Sequence, residues 1–192
     1  MSPAAVGDVL TLAVETKFPG TASFTAAGVT GGGVTTWRRA AAYLTRDGYH
    51  GQELWWGTVS AAGSSTLSVS FTAGSTPGTS GSATSLDVQE LASSAGAATV
   101  WTLDRTGQID TGVATTTLSY PTLTPTSTQE AYIGYLALPG YANSGSTPGV
   151  VYQTDARGNQ TIYHPAVSTT ITPTTTANSQ TYAALGMLLQ AR

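Results

Sequence analysis

Ser65-Thr66-Leu67-Ser68-Val69-Ser70-Phe71 alternates strictly, with Leu67, Val69 and Phe71 separated by the hydroxyl residues Thr66, Ser68 and Ser70. Successive side chains of a strand point to opposite faces, so this stretch predicts a strand with one buried and one wet face. Working outward, Val9-Leu10-Thr11-Leu12-Ala13-Val14 is almost continuously apolar, the mark of a strand covered on both faces. Residues 34–44 (VTTWRRAAAYL) predict another strand with imperfect alternation, in which Ala40-Ala41-Ala42 also reads as a helical turn. Residues 53–59 (ELWWGTV), 86–91 (LDVQEL) and 100–103 (VWTL) follow. Then come 113–120 (VATTTLSY), stopped by Pro121, and 131–138 (AYIGYLAL), ending at Pro139-Gly140.

Residues 150–154 and 160–163 flank Asp155-Ala156-Arg157-Gly158-Asn159, a hairpin connection. Gly- and Ser-rich loops are expected at 74–85, 93–98 and 143–149, and the Thr-rich stretch 167–181 as an irregular excursion. Residues 182–190 (YAALGMLLQ) fit a short helix or a closing core strand, and the all-β context favours the strand. Short strands separated by turn residues predict a β-sandwich or barrel of about eight to ten strands. No linker divides the chain, so residues 1–192 read as one domain: 6–138 best patterned, 139–181 loop-rich, 182–190 closing the core. The expected core is Val9, Leu12, Val14, Leu67, Val69, Phe71, Val88, Ile133 and Leu136, with Trp37 or Trp55 between sheets.

Only 9% of the 192 residues are charged, against about 25% in an ordinary soluble domain. Polarity comes instead from 35 Thr, many Ser and 22 Gly. The net charge is −3 and the basic residues are scattered, which gives no footprint for nucleic acid. No apolar run approaches the ~20 residues of a membrane-spanning helix, so no membrane insertion is expected. Scarce Lys and Glu argue against a helical bundle. The absence of Cys excludes disulfides and cysteine metal sites. Met1-Ser2-Pro3-Ala4-Ala5 has neither a basic region nor an apolar segment, so no secretory signal is expected.

Chemistry-bearing residues are few. His50 and His164 belong to no metal-ligand pattern and read as loop or edge residues. No G-x-S-x-G marks a serine nucleophile. Glu53, Glu90 and Glu130 lie at or near strands, but Asp87 and Glu90, three apart, point to opposite faces and are no natural glycosidase pair. One Asp in 155–159 is too few for a calcium loop. No catalytic residue, cofactor or metal site is therefore expected. Aromatics are the remaining candidates, since Trp and Tyr stack on sugars and anchor interfaces. Trp55 and Trp56 must face opposite sides of a strand, so one is core and the other is open to a second sheet, a subunit or a ligand. Trp56, Tyr49 and Tyr141 are the candidates for partner or glycan contact.

One spaced pattern runs through these stretches. Gly7-Asp8 opens the first strand, Trp37 follows, then Glu53-Leu54-Trp55-Trp56-Gly57, the alternating strand, and Val88-Gln89-Glu90. Ala131-Tyr132-Ile133-Gly134-Tyr135 comes later. Over about residues 6–138 this order resembles the jelly-roll β-sandwich domains of tailed-bacteriophage virion proteins, especially the minor tail or fibre-associated proteins of actinobacterial phages. The resemblance implies a jelly-roll-like antiparallel sandwich and a non-catalytic structural role, as a minor tail protein or a capsid decoration protein. It also implies a place in the virion, assembly in the host cytoplasm without a signal peptide, and partners among other virion proteins and copies of the chain itself. A carbohydrate module acting on a host-surface glycan is the reading of a different class. It requires exposed Trp on a concave sheet with two facing acids.

Overall fold

The computed structural model describes residues 1–17, 25–45, 50–72 and 83–192, and these form an all-β chain with one short 3-10 turn at Gly96–Ala98. Contacts divide it into two compact units, Met1–Thr102 with Ala191–Arg192, and Leu103–Gln190.

The first unit contains β1 (Val9–Lys17), β2 (Ala26–Thr30), β3 (Arg38–Leu44), β4 (His50–Thr58), β5 (Ser68–Phe71) and β6 (Ala83–Leu91). Its main sheet runs β3-β4-β1-β6, with antiparallel pairing at each step. Leu12 of β1 opposes Trp55 of β4 on one side and Val88 of β6 on the other. A two-stranded β2-β5 ribbon packs on one face, where Leu12, Val14 and Trp55 meet Ala26, Val29, Leu67, Val69 and Phe71. The 68–71 strand thus presents one half-buried and one exposed face, as its alternation predicts. β1 is buried on both faces from Val9 to Thr16. The Ala40-Ala41-Ala42 stretch lies in β3, not in a helical turn.

Val88, expected in the core, is exposed. It shares the face of Leu12 and Val14, but among the described residues the ribbon packs on β1 and β4 and not on Val88. β2 has no counterpart among the strands expected from sequence, because Ala-Ala-Gly-Val-Thr carries little apolar alternation.

In the second unit, β7 (Trp101–Asp110) enters from the first, followed by β8 (Thr115–Ser119), β9 (Glu130–Ala137), β10 (Val151–Thr154), β11 (Gln160–Val167), β12 (Thr174–Gln180) and β13 (Ala183–Ala191). The main sheet runs β10-β11-β9-β13-β7, and β8 pairs with β12 in a ribbon. Tyr120, Leu118 and Ala177 from the ribbon side pack with Tyr132, Leu136, Ile162, Ala184 and Leu188 of the sheet. Gly134 of β9 opposes Gly186 of β13. A Cβ on Gly134 would lie 2.7 Å from the Tyr120 ring, and one on Gly186 2.7 Å from the Tyr132 hydroxyl. The glycine pair makes the hollow that these two tyrosines fill.

The 155–159 turn forms as expected. The Gly158 N–H donates to the Asp155 carbonyl at 3.1 Å, and Gly158 takes φ +95°. The Asp155 carboxylate accepts the Arg157 and Asn159 N–H groups at 2.8 and 3.0 Å. Residues 182–190 fall in the closing strand β13 from Ala183 onward, not in a helix. The 167–181 stretch is less irregular than its composition suggests. Thr174–Gln180 pairs with β8, its buried positions filled by Thr175 and Ala177 rather than large apolar residues. Among the described residues no helix is long and apolar enough to cross a membrane.

Candidate functional site

The residues of the spaced pattern are best followed from the backbone upward. Gly7 takes φ +95°, and a Cβ there would lie 1.9 Å from the Gly96 carbonyl oxygen, so the chain passes that loop at a distance only glycine permits. The Gly7 carbonyl accepts the indole N–H of Trp101 at 2.8 Å. Next to it, the buried Asp8 carboxylate accepts the Ser93 N–H at 2.9 Å. The Gly-Asp pair therefore fixes the entry of β1 to the segment between β6 and β7.

Glu53 and Trp55 lie two apart on one face of β4, and the Trp55 indole N–H donates to Glu53 Oε2 at 2.8 Å. Glu53 Oε1 accepts the Ala26 N–H at 2.6 Å, which holds the ribbon strand β2 to the sheet. Arg39 approaches the same carboxylate at 3.6 Å, and its guanidinium stands 5.6 Å from the centre of the Trp55 ring. On the opposite face Arg38 stands 5.1 Å from the Trp56 ring centre. Each arginine thus covers the tryptophan facing it across the β3–β4 pair. Gly57 completes the motif: a Cβ there would be 2.3 Å from Val34 Cγ1. Glu90 accepts the Ala4 N–H at 2.7 Å.

Of the three residues singled out for partner contact, Trp56 lies in the first unit and Tyr141 in the second. Trp56 is only 4% exposed, and Trp55 opposite it is equally buried, so both indoles pack inside the structure. Tyr49 lies outside the described residues. Tyr141, in the second unit, is 64% exposed on the loop after β9, its hydroxyl donating to the Ala156 carbonyl at 2.9 Å. Trp101 is buried and Trp37 half-buried, its indole N–H donating to the Gly31 carbonyl at 3.0 Å.

The acids and histidines are likewise placed by contacts within the fold. Glu130 is fully buried and its Oε1 accepts the Ser127 N–H and hydroxyl, both at 2.9 Å, closing the turn before β9. His50, the first residue of β4, pairs through Nδ1 with Glu15 Oε1 at 3.0 Å. His164 Nδ1 accepts the Ala166 N–H at 3.1 Å. Asp87 and Glu90 stand on opposite faces of β6, as their spacing requires. Among the described residues no three His, Asp or Glu gather in a way that could hold a metal ion. A cleft of about 200 Å³ lies along the β3–β4 edge, lined by Thr25, Tyr43, Gln52 and Glu53 among others. Sequence reasoning missed the use of Arg38 and Arg39 as covers for the tryptophans. The signal was present, because two adjacent Arg and two adjacent Trp on neighbouring strands must pair face by face.

The chain matches no family model, no curated protein and no solved structure.

Proposed function

We propose that this chain is a non-catalytic structural component of a tailed-phage virion, built on a jelly-roll-like sandwich and acting as a minor tail protein. In this reading it contacts other virion proteins and copies of itself, and it is assembled in the host cytoplasm. A decoration protein on the capsid exterior is the alternative position for the same building block. The observation that most supports the reading is the use made of the pattern residues. Asp8, Glu53 and Glu90 each accept a backbone N–H from a separate segment, and none converges with another on a cleft. The carboxylates act as rivets between segments of the fold, which suits a particle component. The low charge also fits, since interface cores are depleted in charged residues.

Mass spectrometry of purified particles tests the proposal, followed by a cryo-EM map of the virion to locate the chain. The expected result is a fixed copy number per particle with density in the tail. Absence from purified particles overturns the reading, and density on the capsid moves it to the decoration role.

A further inference from the structure

We propose that one loop pair of the second unit binds a sugar ring bearing a carboxylate or phosphate, with Tyr141 as the stacking platform and Arg157 as the anion ligand. This goes beyond the structural role proposed above and does not depend on it.

The two loops are fastened together. Asp155-Ala156-Arg157-Gly158-Asn159 turns between β10 and β11, and residues 138–142 follow β9. The Leu138 N–H donates to Asn159 Oδ1 at 3.4 Å, and the Ala142 N–H to the Gly158 carbonyl at 3.1 Å. The Tyr141 hydroxyl donates to the Ala156 carbonyl at 2.9 Å. Gly158 comes so close that a Cβ there would lie 2.8 Å from Tyr141 Cα. Tyr141 is thus held against the turn at both its Cα and its hydroxyl, and that turn carries Arg157.

The ring itself stays open. Tyr141 is 64% exposed, although its hydroxyl is satisfied within the protein. A phenol with its polar end occupied and its ring bare offers a flat apolar surface, on which the C–H face of a pyranose can stack. Fixing the ring beforehand spares the side-chain entropy that a free tyrosine would lose on binding.

Charge selects the ligand. The second unit holds Arg105 and Arg157 and no lysine. Arg105 stands 3.6 Å from Asp104. Arg157 is exposed, and among the described residues its guanidinium has no ion-pair or hydrogen-bond partner. The acid of the same turn, Asp155, is engaged by the turn itself. Its Oδ1 accepts the Arg157 and Asn159 N–H groups at 2.8 and 3.0 Å, and its Oδ2 the Asn159 side-chain amide at 3.4 Å. A guanidinium with its donors free, next to a stacking ring, suits a carboxylate or phosphate on the stacked sugar.

Size favours a sugar over a protein partner. A stable protein interface buries about 800 Å² on each side around several anchors. The exposed residues along the chain beside Tyr141, namely Pro139, Asn143 and Ser144, are uncharged and add no second large apolar side chain. One ring and one charge match a single sugar residue.

NMR titration of the intact chain tests the site, with a galacturonic acid trisaccharide, glucose 1-phosphate, maltotriose and a tetraglutamate peptide as probes. At about 10 mM, above the millimolar affinity of a one-ring site, the galacturonate or the sugar phosphate is expected to shift the Tyr141 ring and Arg157 amide signals. Which of the two does so identifies the anion. Maltotriose is expected to bind about 10-fold more weakly, and Arg157→Ala to lower the anionic sugar to the same level. Tyr141→Ala should abolish the response, while Tyr141→Phe, which keeps the ring, should retain binding within about 3-fold. No shift with either anionic sugar overturns the inference. So does binding that survives Tyr141→Ala, or equal binding of maltotriose or of tetraglutamate. The virion role is read separately from particle composition, so it stands whether or not the sugar binds.

Discussion

Glu53 holds three partners on a single buried carboxylate: the Ala26 N–H, the Trp55 indole and Arg39. These contacts are unequal. The Arg39 side chain is 43% exposed, and at 3.6 Å its ion pair is weakened by solvent, so its share is small. The two neutral donors are buried and lose their acceptor together if the carboxylate goes. Each orphaned donor costs about 1–3 kcal/mol. Glu53→Ala is therefore expected to lose about 3 kcal/mol of stability, and Arg39→Ala about 1 kcal/mol or less, counting its stacking on Trp55. Urea denaturation of the two variants checks the ratio. Equal losses would show that the ion pair, not the buried donors, holds the ribbon to the sheet.

At the scale of elements, each unit closes a side chain from outside its main sheet over a glycine of that sheet. Val34 closes over Gly57 in the first unit, and Tyr120 over Gly134 in the second. The gap is filled by the covering side chain, so adding a methyl group there forces strain into a packed interior. Gly134→Ala meets Tyr120 at 2.7 Å and Ile162 at 2.8 Å, both rigidly enclosed. Its expected cost is about 1–3 kcal/mol by overpacking. Gly28, in β2, has only the Ser70 hydroxyl near its missing Cβ, at 3.6 Å, and Gly28→Ala should change stability by about 1 kcal/mol or less. Thermal melting of the two variants separates a glycine required by packing from one that is not.

For the molecule as a whole, two buried tyrosines tie stability to alkaline pH. Burial pushes the Tyr120 hydroxyl well above its ordinary value near 10, with Tyr132, Tyr152 and Tyr182 adding to the shift. Burial likewise raises Tyr132, with a smaller push from Tyr152. Both donate hydrogen bonds as neutral groups, Tyr120 to Gln160 at 3.0 Å and Tyr132 to the Pro121 carbonyl at 2.8 Å. Below pH 10 both are protonated folded and unfolded, and the stability they contribute is complete. Above it the unfolded chain releases protons that the folded chain keeps, so stability falls as pH rises. The slope is about 1.4 kcal/mol per pH unit for each such tyrosine. Urea midpoints measured from pH 8 to 12 should drop steeply above about 10. Tyr132→Phe should make the drop shallower, and an unchanged slope in that variant would assign the alkaline loss elsewhere.

Local alternation was enough to determine that this chain is all-β and where most strands lie. A side chain's face follows from its position along a strand, so 68–71 and the doubly buried β1 could be read directly. The hairpin at 155–159 was equally legible, because Asp and Gly at fixed offsets supply the acceptor and the left-handed residue that the turn needs. What lies over each face is a long-range matter. Val88 alternates as a core residue does, yet among the described residues no ribbon strand packs on it, while Trp56 looked available and is buried beneath Arg38. β2 and β12 lack apolar alternation and are strands because partners far along the chain supply their hydrogen bonds, β5 with Glu53 for one and β8 for the other. Periodicity fixes which way a side chain points, and only tertiary pairing decides whether anything stands there to meet it.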